Sequence, residues 1–520
     1  MTALDARSPR TARICPRTAK RAPLSLRPEI PRPAHHRLIA ALALAACLGG
    51  CGSADFDRPV VVLVTLDTTR ADHLGCYGAT TPGISPRLDG LAEGGVRFDA
   101  AISQAAVTPV SHASIFTGLY PYNHGLRVMH GTQQNRLDPA QVTLAEVLRD
   151  VGYETGAFVS AFPVTEFFGF DQGFDEFDAD FGNSQGRVGA GGAVNTGAAQ
   201  RTAGETTDRA LAWMADREQS YFLWLHYFDP HDETVVPPAE YLGDFEKVGP
   251  EREWRRALYD LELTYMDREL GRVFDALEQR GLWDDAVIVV TADHGEGLGD
   301  HDWWTHGVLY QEQVRVPLIV RAPGLPTGTS IGATVRTIDI APTVTELLGL
   351  APDDVPGFDG VSLVGLMRGE VDDLDLSAYA DSVNTMNYAG VEGEVDRKHD
   401  LLFAIVLDGR WKYIHHLKKP ENNELYDLRD DPGELVNVIR ERPVIVKRAN
   451  EALKEVPFMP FEQLELANTP PEVLEMLRKL GYTGDESSGD EEAGEQDAGE
   501  GREESSGDGS AEGGAGGADD

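Results

Sequence analysis

Only four cysteines occur in 520 residues, too few to suggest a disulfide scaffold in a chain long enough to build its own core. Cations are scarce as well: 46 Lys+Arg stand against 86 Asp+Glu, a net charge of −40. That balance excludes nucleic acid as a main partner, because duplex binding needs clustered cations to neutralise phosphates. Long apolar runs are missing too. The run Leu38–Gly50 has thirteen residues, short of the about 20 that a helix needs to cross a bilayer core. No GK[ST] follows the glycine-rich stretch Gly182–Gly204, so that stretch reads as a flexible loop and not as a phosphate cradle.

What is present begins with two unlike ends. Residues 1–50 carry nine Lys/Arg and two acids, net +7; residues 485–520 carry fourteen acids and one Arg, net −13; the body 51–484 keeps −34. A basic stretch to Arg37, the apolar run and the small residues around Cys47 and Cys51 read as an export signal. Leu48-Gly49-Gly50-Cys51 is similar to a bacterial lipoprotein signal, in which the cysteine becomes the lipidated first residue. Leu44-Ala45-Ala46-Cys47 also fits, and an ordinary secretory peptide is the alternative. The expected location is the cell envelope, with membrane attachment only through a lipid on Cys51. From Asp485 onward there is no aromatic or branched aliphatic residue, so burial cannot offset chain entropy and a disordered tail is expected. The expected organisation is a signal over 1–51, a large domain over 58–385, a smaller one over 400–484 and the tail over 485–520.

With 41% hydrophobic residues, the body can bury a sizeable core. Three apolar runs, Val60–Leu66, Tyr221–Phe228 and Ala286–Ala292, are each followed at once by an aspartate: Asp67, Asp229 and Asp293. Uniformly apolar runs of this length suit strands buried on both faces of a parallel sheet. Between them, Glu251–Arg280 places Trp254, Leu258, Leu261, Tyr265, Met266, Leu270, Val273, Phe274 and Leu277 at helical spacing and stops at Gly281. Gln141–Val151 and Glu205–Arg217 also read as helices. The alternation predicts a doubly wound α/β sheet, whose ligands bind beyond the carboxyl ends of the strands. One aspartate after a strand is usually a turn or cap residue. Three, with His231 and His294 close behind two of them, point to a metal site at that edge. The loop Gly299–Gly307 adds His301, His306, Trp303 and Trp304.

Several segments resemble the sulfatase family of the alkaline phosphatase superfamily: 64–78 (VTLDTTRADHLGCYG), 111–125 (SHASIFTGLYPYNHG), 226–231 (HYFDPH), 290–301 (VTADHGEGLGDH), 306–324, 408–416, 423–434 and 477–484. The resemblance implies a large α/β domain with a mixed sheet, then a smaller α+β subdomain with a short antiparallel sheet. It also implies that Asp67, Asp293 and His294 bind a divalent metal. One position departs sharply. Where sulfatases typically show Cys-x-Pro-Ser-Arg, whose first residue becomes a formylglycine nucleophile, this chain has Thr108-Pro109-Val110-Ser111-His112. Threonine cannot become formylglycine. His112 replaces the arginine, Asp67-Thr68 the usual paired aspartates, and His306 a substrate-binding lysine. These changes are similar to superfamily members that use a hydroxyl nucleophile and two metals on phosphate esters.

The expected activity is hydrolysis of a small sulfuric or phosphoric ester of a sugar, aryl alcohol or lipid, through a covalent intermediate on Thr108. His112, His231 and His306 are the expected catalytic histidines. Asp229, His226 and His301 are candidate additional metal ligands, for Ca or Mg in a one-metal site and Zn or Mn in a two-metal site. Thr108 could instead be the cap of the helix through Ser111–Gly118. Arg70 meets either the substrate anion or an aspartate, and Trp304 either lines the pocket or packs. A phosphoryl-alcohol transferase and an inactive binding lipoprotein are the other readings. The first usually carries transmembrane helices, and the second should have lost Asp67, Asp293 and His294.

Overall fold

The computed structural model describes residues 58–128, 136–181, 200–231, 237–243, 245–383 and 400–457. The export signal with Cys47 and Cys51, the acidic tail, the 477–484 motif and the part of the glycine-rich loop up to residue 199 lie outside the described residues. No described helix is long and apolar enough to cross a membrane.

The twelve strands, in chain order, are β1 (Val61–Leu66), β2 (Val96–Ile102), β3 (Glu154–Val159), β4 (Glu176–Asp178), β5 (Tyr221–Tyr227), β6 (Val287–Thr291), β7 (Arg315–Arg321), β8 (Thr329–Arg336), β9 (Ala378–Ser382), β10 (Leu402–Leu407), β11 (Trp411–His416) and β12 (Glu424–Asp427). Eight form one sheet in the order β4-β3-β5-β1-β6-β7-β2-β8. All its neighbours pair in parallel except β7, which runs antiparallel to β6 and β2. The three apolar runs become β5, β1 and β6, side by side at the centre and buried throughout. Non-adjacent order along the chain requires helical crossovers on the faces of the sheet.

Local chemistry sets the helix ends. The helix at Leu144–Asp150 starts after Thr143, and the helix at Ala203–Ala215 after Thr202. Each threonine forms a capping box with a glutamate three residues on, Glu146 and Glu205. The Ala203 start shows that Ala203 and Gly204, at the end of the glycine-rich stretch, already belong to a helix. The long helix runs Glu251–Gln279 and ends where Gly281 adopts φ +69°. Its buried face carries more than the periodicity foretold, since Tyr259, Glu262, Asp267 and Glu269 are buried with the apolar residues.

The second sheet is antiparallel, β12-β11-β10-β9. Its strand β9 comes from within the stretch expected in the large domain, because Ala378–Ser382 pairs with β10. Buried polar contacts tie this sheet to the rest. Lys412 pairs with Glu434 at 2.8 Å, and Glu434 also accepts from the Gln311 amide at 2.6 Å.

Candidate active site and metal centre

Register decides which strand-end groups meet. Val64 on β1 lies opposite Val290 on β6 and Leu225 on β5, and Thr65 lies opposite Thr291 and His226. Two residues further, Asp67 and Asp293 are level and share a face of the sheet, whereas the residue of the β5 chain at that level is Phe228. Asp229 is one residue on, and side chains alternate along a strand. Asp67, Asp293 and His294 accordingly gather with ligand atoms within 4.8 Å of one another, the single such group among the described residues.

The donors around this group are specific. Asp293 Oδ1 accepts from the Thr68 and His294 amides at 3.2 and 2.8 Å. His294 Nδ1 donates to the Gly295 carbonyl at 2.9 Å, which leaves the Nε2 lone pair facing Thr108 Oγ at 3.2 Å. Thr108 is the first residue of the helix Thr108–Thr117; Val107, not Thr108, is the cap. Asp67 Oδ1 and Asp293 Oδ2 are buried with no hydrogen-bond partner among the described residues. Burial pushes both carboxyls well above the usual carboxylate range; for Asp67 hydrogen bonds from Thr108 and Asp293 oppose it, and for Asp293 the Asp67 charge adds to it. Burial also lowers the neighbouring imidazoles, His226 to about 3 and His306 to about 4, with His112, His231 and His294 moved the same way. Neutral imidazole is the form that ligates metal. Two orphaned carboxylate oxygens, a neutral imidazole lone pair and a hydroxyl therefore fit a divalent cation, whose charge would remove the cost of burying the acids.

Other expected ligands take different places. Asp229 is fully buried but turns to the helix Ala203–Ala215, accepting from the Ala203 amide at 3.0 Å; burial moves its carboxyl to about 7. His226 points at Asp67 instead of joining that group. Its Nδ1 accepts from the Ser160 amide at 3.3 Å, so Nε2–H points to Asp67 Oδ2 at 3.1 Å. His301 leaves the site altogether. It stacks on Tyr310 at 3.8 Å between Glu312 Oε1 (2.8 Å) and the Glu434 carbonyl (3.1 Å), as part of the link to the second sheet.

His112 is likewise no free acid or base. Its Nδ1 donates to the Thr108 carbonyl at 2.9 Å and its Nε2 accepts from the Thr65 hydroxyl at 2.9 Å; Thr65 in turn accepts from Trp224. His112 thus buttresses the first turn beneath Thr108. His231 and His306 do face the centre: their Nε2 atoms lie 3.2 Å apart, His306 Nδ1 donates to the Ala106 carbonyl, and the His306 ring is 4.3 Å from that of His294. Arg70 is fully engaged by Asp72, Asp300 and the carbonyls of Glu296 and Gly297, so the aspartate alternative holds. Trp304 packs over Gly299 with the Arg255 guanidinium 5.3 Å from its ring, while Trp303 is buried and donates to the His306 carbonyl at 3.0 Å.

Sequence reasoning passed over Ser103 and Ser111, which both donate to the Asp293 carbonyl, and Glu296, 5% exposed and raised by burial beside the centre. Nothing in the spacing of the serines marks them. Glu296 carries a signal, being a lone acid between two glycines directly after Asp293-His294.

A mostly parallel sheet with buried carboxylates, imidazoles and a hydroxyl at its strand ends is the arrangement expected of an ester hydrolase of the alkaline phosphatase superfamily. Residues 59–350 match the family model described as Sulfatase, and residues 299–456 match N-sulphoglucosamine sulphohydrolase, C-terminal. The chain belongs to the sulfatase family and is a hydrolase of ester bonds. It is 30% identical to choline-sulfatase of Rhizobium meliloti over 211 residues, 40% of this chain but only 38% of that protein's length. It is 28% identical to the multifunctional alkaline phosphatase superfamily protein PehA of Trinickia caryophylli, over 73% of this chain and 91% of that one. The phosphonate monoester hydrolase structure of Agrobacterium radiobacter superposes with a TM-score of 0.61 at 24% identity, covering 77% of this chain and 95% of that one, a likeness of fold.

Proposed function

We propose that this hydrolase is an exported, metal-dependent enzyme that cleaves small anionic esters with Thr108 as nucleophile, phosphoric and phosphonic esters in preference to sulfuric ones. One observation carries the reading. Thr108 Oγ is fully buried at the start of its helix, 3.2 Å from the His294 Nε2 lone pair.

Thr108 Oγ forms a bond to phosphorus as the bond to the leaving alcohol oxygen breaks, and the Oγ proton passes to an imidazole of the His231–His306 pair. That pair, neutral and with its two Nε2 atoms facing each other, hands the proton it has taken on to the leaving oxygen. Water then attacks the phosphothreonine, releasing phosphate and restoring the hydroxyl. The helix N-terminus beneath Thr108 favours the anionic oxygens of the bound ester. A divalent cation held by Asp67, Asp293 and His294 would lower the hydroxyl pKa and offset charge gathering on the ester. His112 and His226 hold Thr108 and Asp67 in place. A single centre of this donor set, with Asp229, His226 and His301 engaged elsewhere, favours one cation over two.

Names of relatives support both ester classes, choline-sulfatase on one side and phosphonate monoester hydrolase on the other. An unmodified hydroxyl as nucleophile tips the choice to phosphorus. Export and a lipid at Cys51 rest on the basic stretch, the short apolar run and Leu48-Gly49-Gly50-Cys51. The test is a panel of p-nitrophenyl phosphate, p-nitrophenyl phenylphosphonate and p-nitrophenyl sulfate with Ca, Mg, Mn and Zn in turn. The phosphorus esters should turn over faster. Turnover of the sulfate alone, or of none by metal-loaded protein, would contradict the proposal.

A further inference from the structure

Tyr259, in the first third of the helix Glu251–Gln279, is 2% exposed, and its hydroxyl is used twice. It donates to the Thr68 carbonyl at 2.8 Å and accepts from the Arg70 amide at 2.9 Å. The two partners flank Thr69, so the hydroxyl closes a clamp across the turn that leaves β1. That turn is unusual. Thr68 has φ +52°, a left-handed conformation that strains a β-branched residue and persists only where its surroundings hold it. The turn also joins both acids of the metal centre, because Asp67 precedes Thr68 and the Thr68 amide donates to Asp293 Oδ1 at 3.2 Å. At the far end, the Arg70 guanidinium is anchored to Asp72 and Asp300 at 2.7 and 2.8 Å. Tyr259 grips the middle, where the strain lies.

We infer that Tyr259 is a positioning residue for the metal centre: its hydroxyl holds Thr68 left-handed, so that Asp67 and Asp293 present their orphaned oxygens to one cation. This rests on the cation site proposed above. A tyrosine on the apolar face of a helix would otherwise read as packing alone, and its ring does pack. The hydroxyl is the part assigned here, and removing it leaves the ring in place. Two backbone groups lose their partner, the turn relaxes towards φ below zero, and the two carboxylates move apart.

The test uses Tyr259→Phe in the full chain, with the affinity for Ca2+, Mg2+, Mn2+ and Zn2+ measured by titration calorimetry and the melting temperature measured in chelator. Loss of a supporting hydrogen bond at a metal site typically weakens metal binding by about 10–100-fold. Tyr259→Phe should show a loss of that size for whichever cation the wild-type chain binds. Its kcat at saturating metal should return towards the wild-type value, a split that general destabilisation would not give. Thr68→Gly supplies the second arm, because glycine adopts positive φ at little cost. The double variant Thr68→Gly/Tyr259→Phe should bind metal more tightly than Tyr259→Phe alone, a non-additivity expected of groups sharing one turn. Wild-type binding with an unchanged Kd in Tyr259→Phe would overturn this inference alone. No cation binding by the wild-type chain would overturn the metal reading, and this inference with it.

Discussion

His226 separates residue type from residue position. Its imidazole suits a metal, and it lies one strand away from Asp67, yet the Ser160 amide fixes its tautomer and aims Nε2–H at the Asp67 carboxylate. On the proposed cation it would act through Asp67. His226→Ala should therefore weaken metal binding by about 10–100-fold while leaving all three ligands in place; calorimetric titration with the best-bound cation checks this, and an unchanged Kd would refute it. The same distinction explains what could be read from the sequence. The gathering of Asp67, Asp293 and His294 was legible because they lie just beyond the buried strands β1 and β6, and Thr108 was singled out by its register with the family's nucleophile position. Asp229 gave the same signal and turned the other way, since a one-residue offset reverses the face. Only pairing register, which a single sequence does not contain, tells the two cases apart.

At the scale of elements, the three apolar runs and the long helix were readable from period and composition, and helix starts shifted to the nearest threonine able to cap. Charged residues on the buried face of the long helix were not readable. Asp267 is one of them, and its work is to cap a neighbour: its two oxygens accept from the Arg87 and Leu88 amides, at 3.0 and 2.8 Å, at the start of the helix Pro86–Glu93. Burial raises its carboxyl from 3.8 to about 6, against the pull of those two amides. A raised acid contributes stability that is fully present below about 3.8 and lost as the pH climbs through about 6. Asp267→Asn removes that titration. The fall in melting temperature between pH 4 and pH 7 should be smaller in the variant than in the wild type. Thermal melts at the two pH values check it, and identical slopes would contradict it.

For the molecule as a whole, the net charge of −40 argued against nucleic acid and was silent about a small anion. The proposed centre explains why: buried acids at the sheet edge would act locally as cation ligands, and a bound cation would present positive charge to the substrate. Asp67 and Asp293 crowd together without it, so chelation should lower the melting temperature. Returning free metal to a hundred times its Kd should restore about 2.7 kcal/mol. Calorimetric melts with chelator and with added metal measure this, and coincident curves would count against a cation at the site. The division into two sheets was legible, but the membership of β9 in the second was not, because Ala378–Ser382 pairs with β10 across a stretch that sequence spacing leaves blank.

The central claim is that the hydroxyl of Thr108 performs the chemistry of a sulfatase-family centre that lacks the usual nucleophile. The most direct measurement is kcat/KM of metal-loaded Thr108→Ala on the best phosphorus ester of the panel, with bound metal quantified in the same sample. The account predicts wild-type metal content and a loss of at least about 10³-fold, since removing a nucleophile leaves only binding and charge stabilisation. Activity within tenfold of the wild type, with the cation in place, would contradict it.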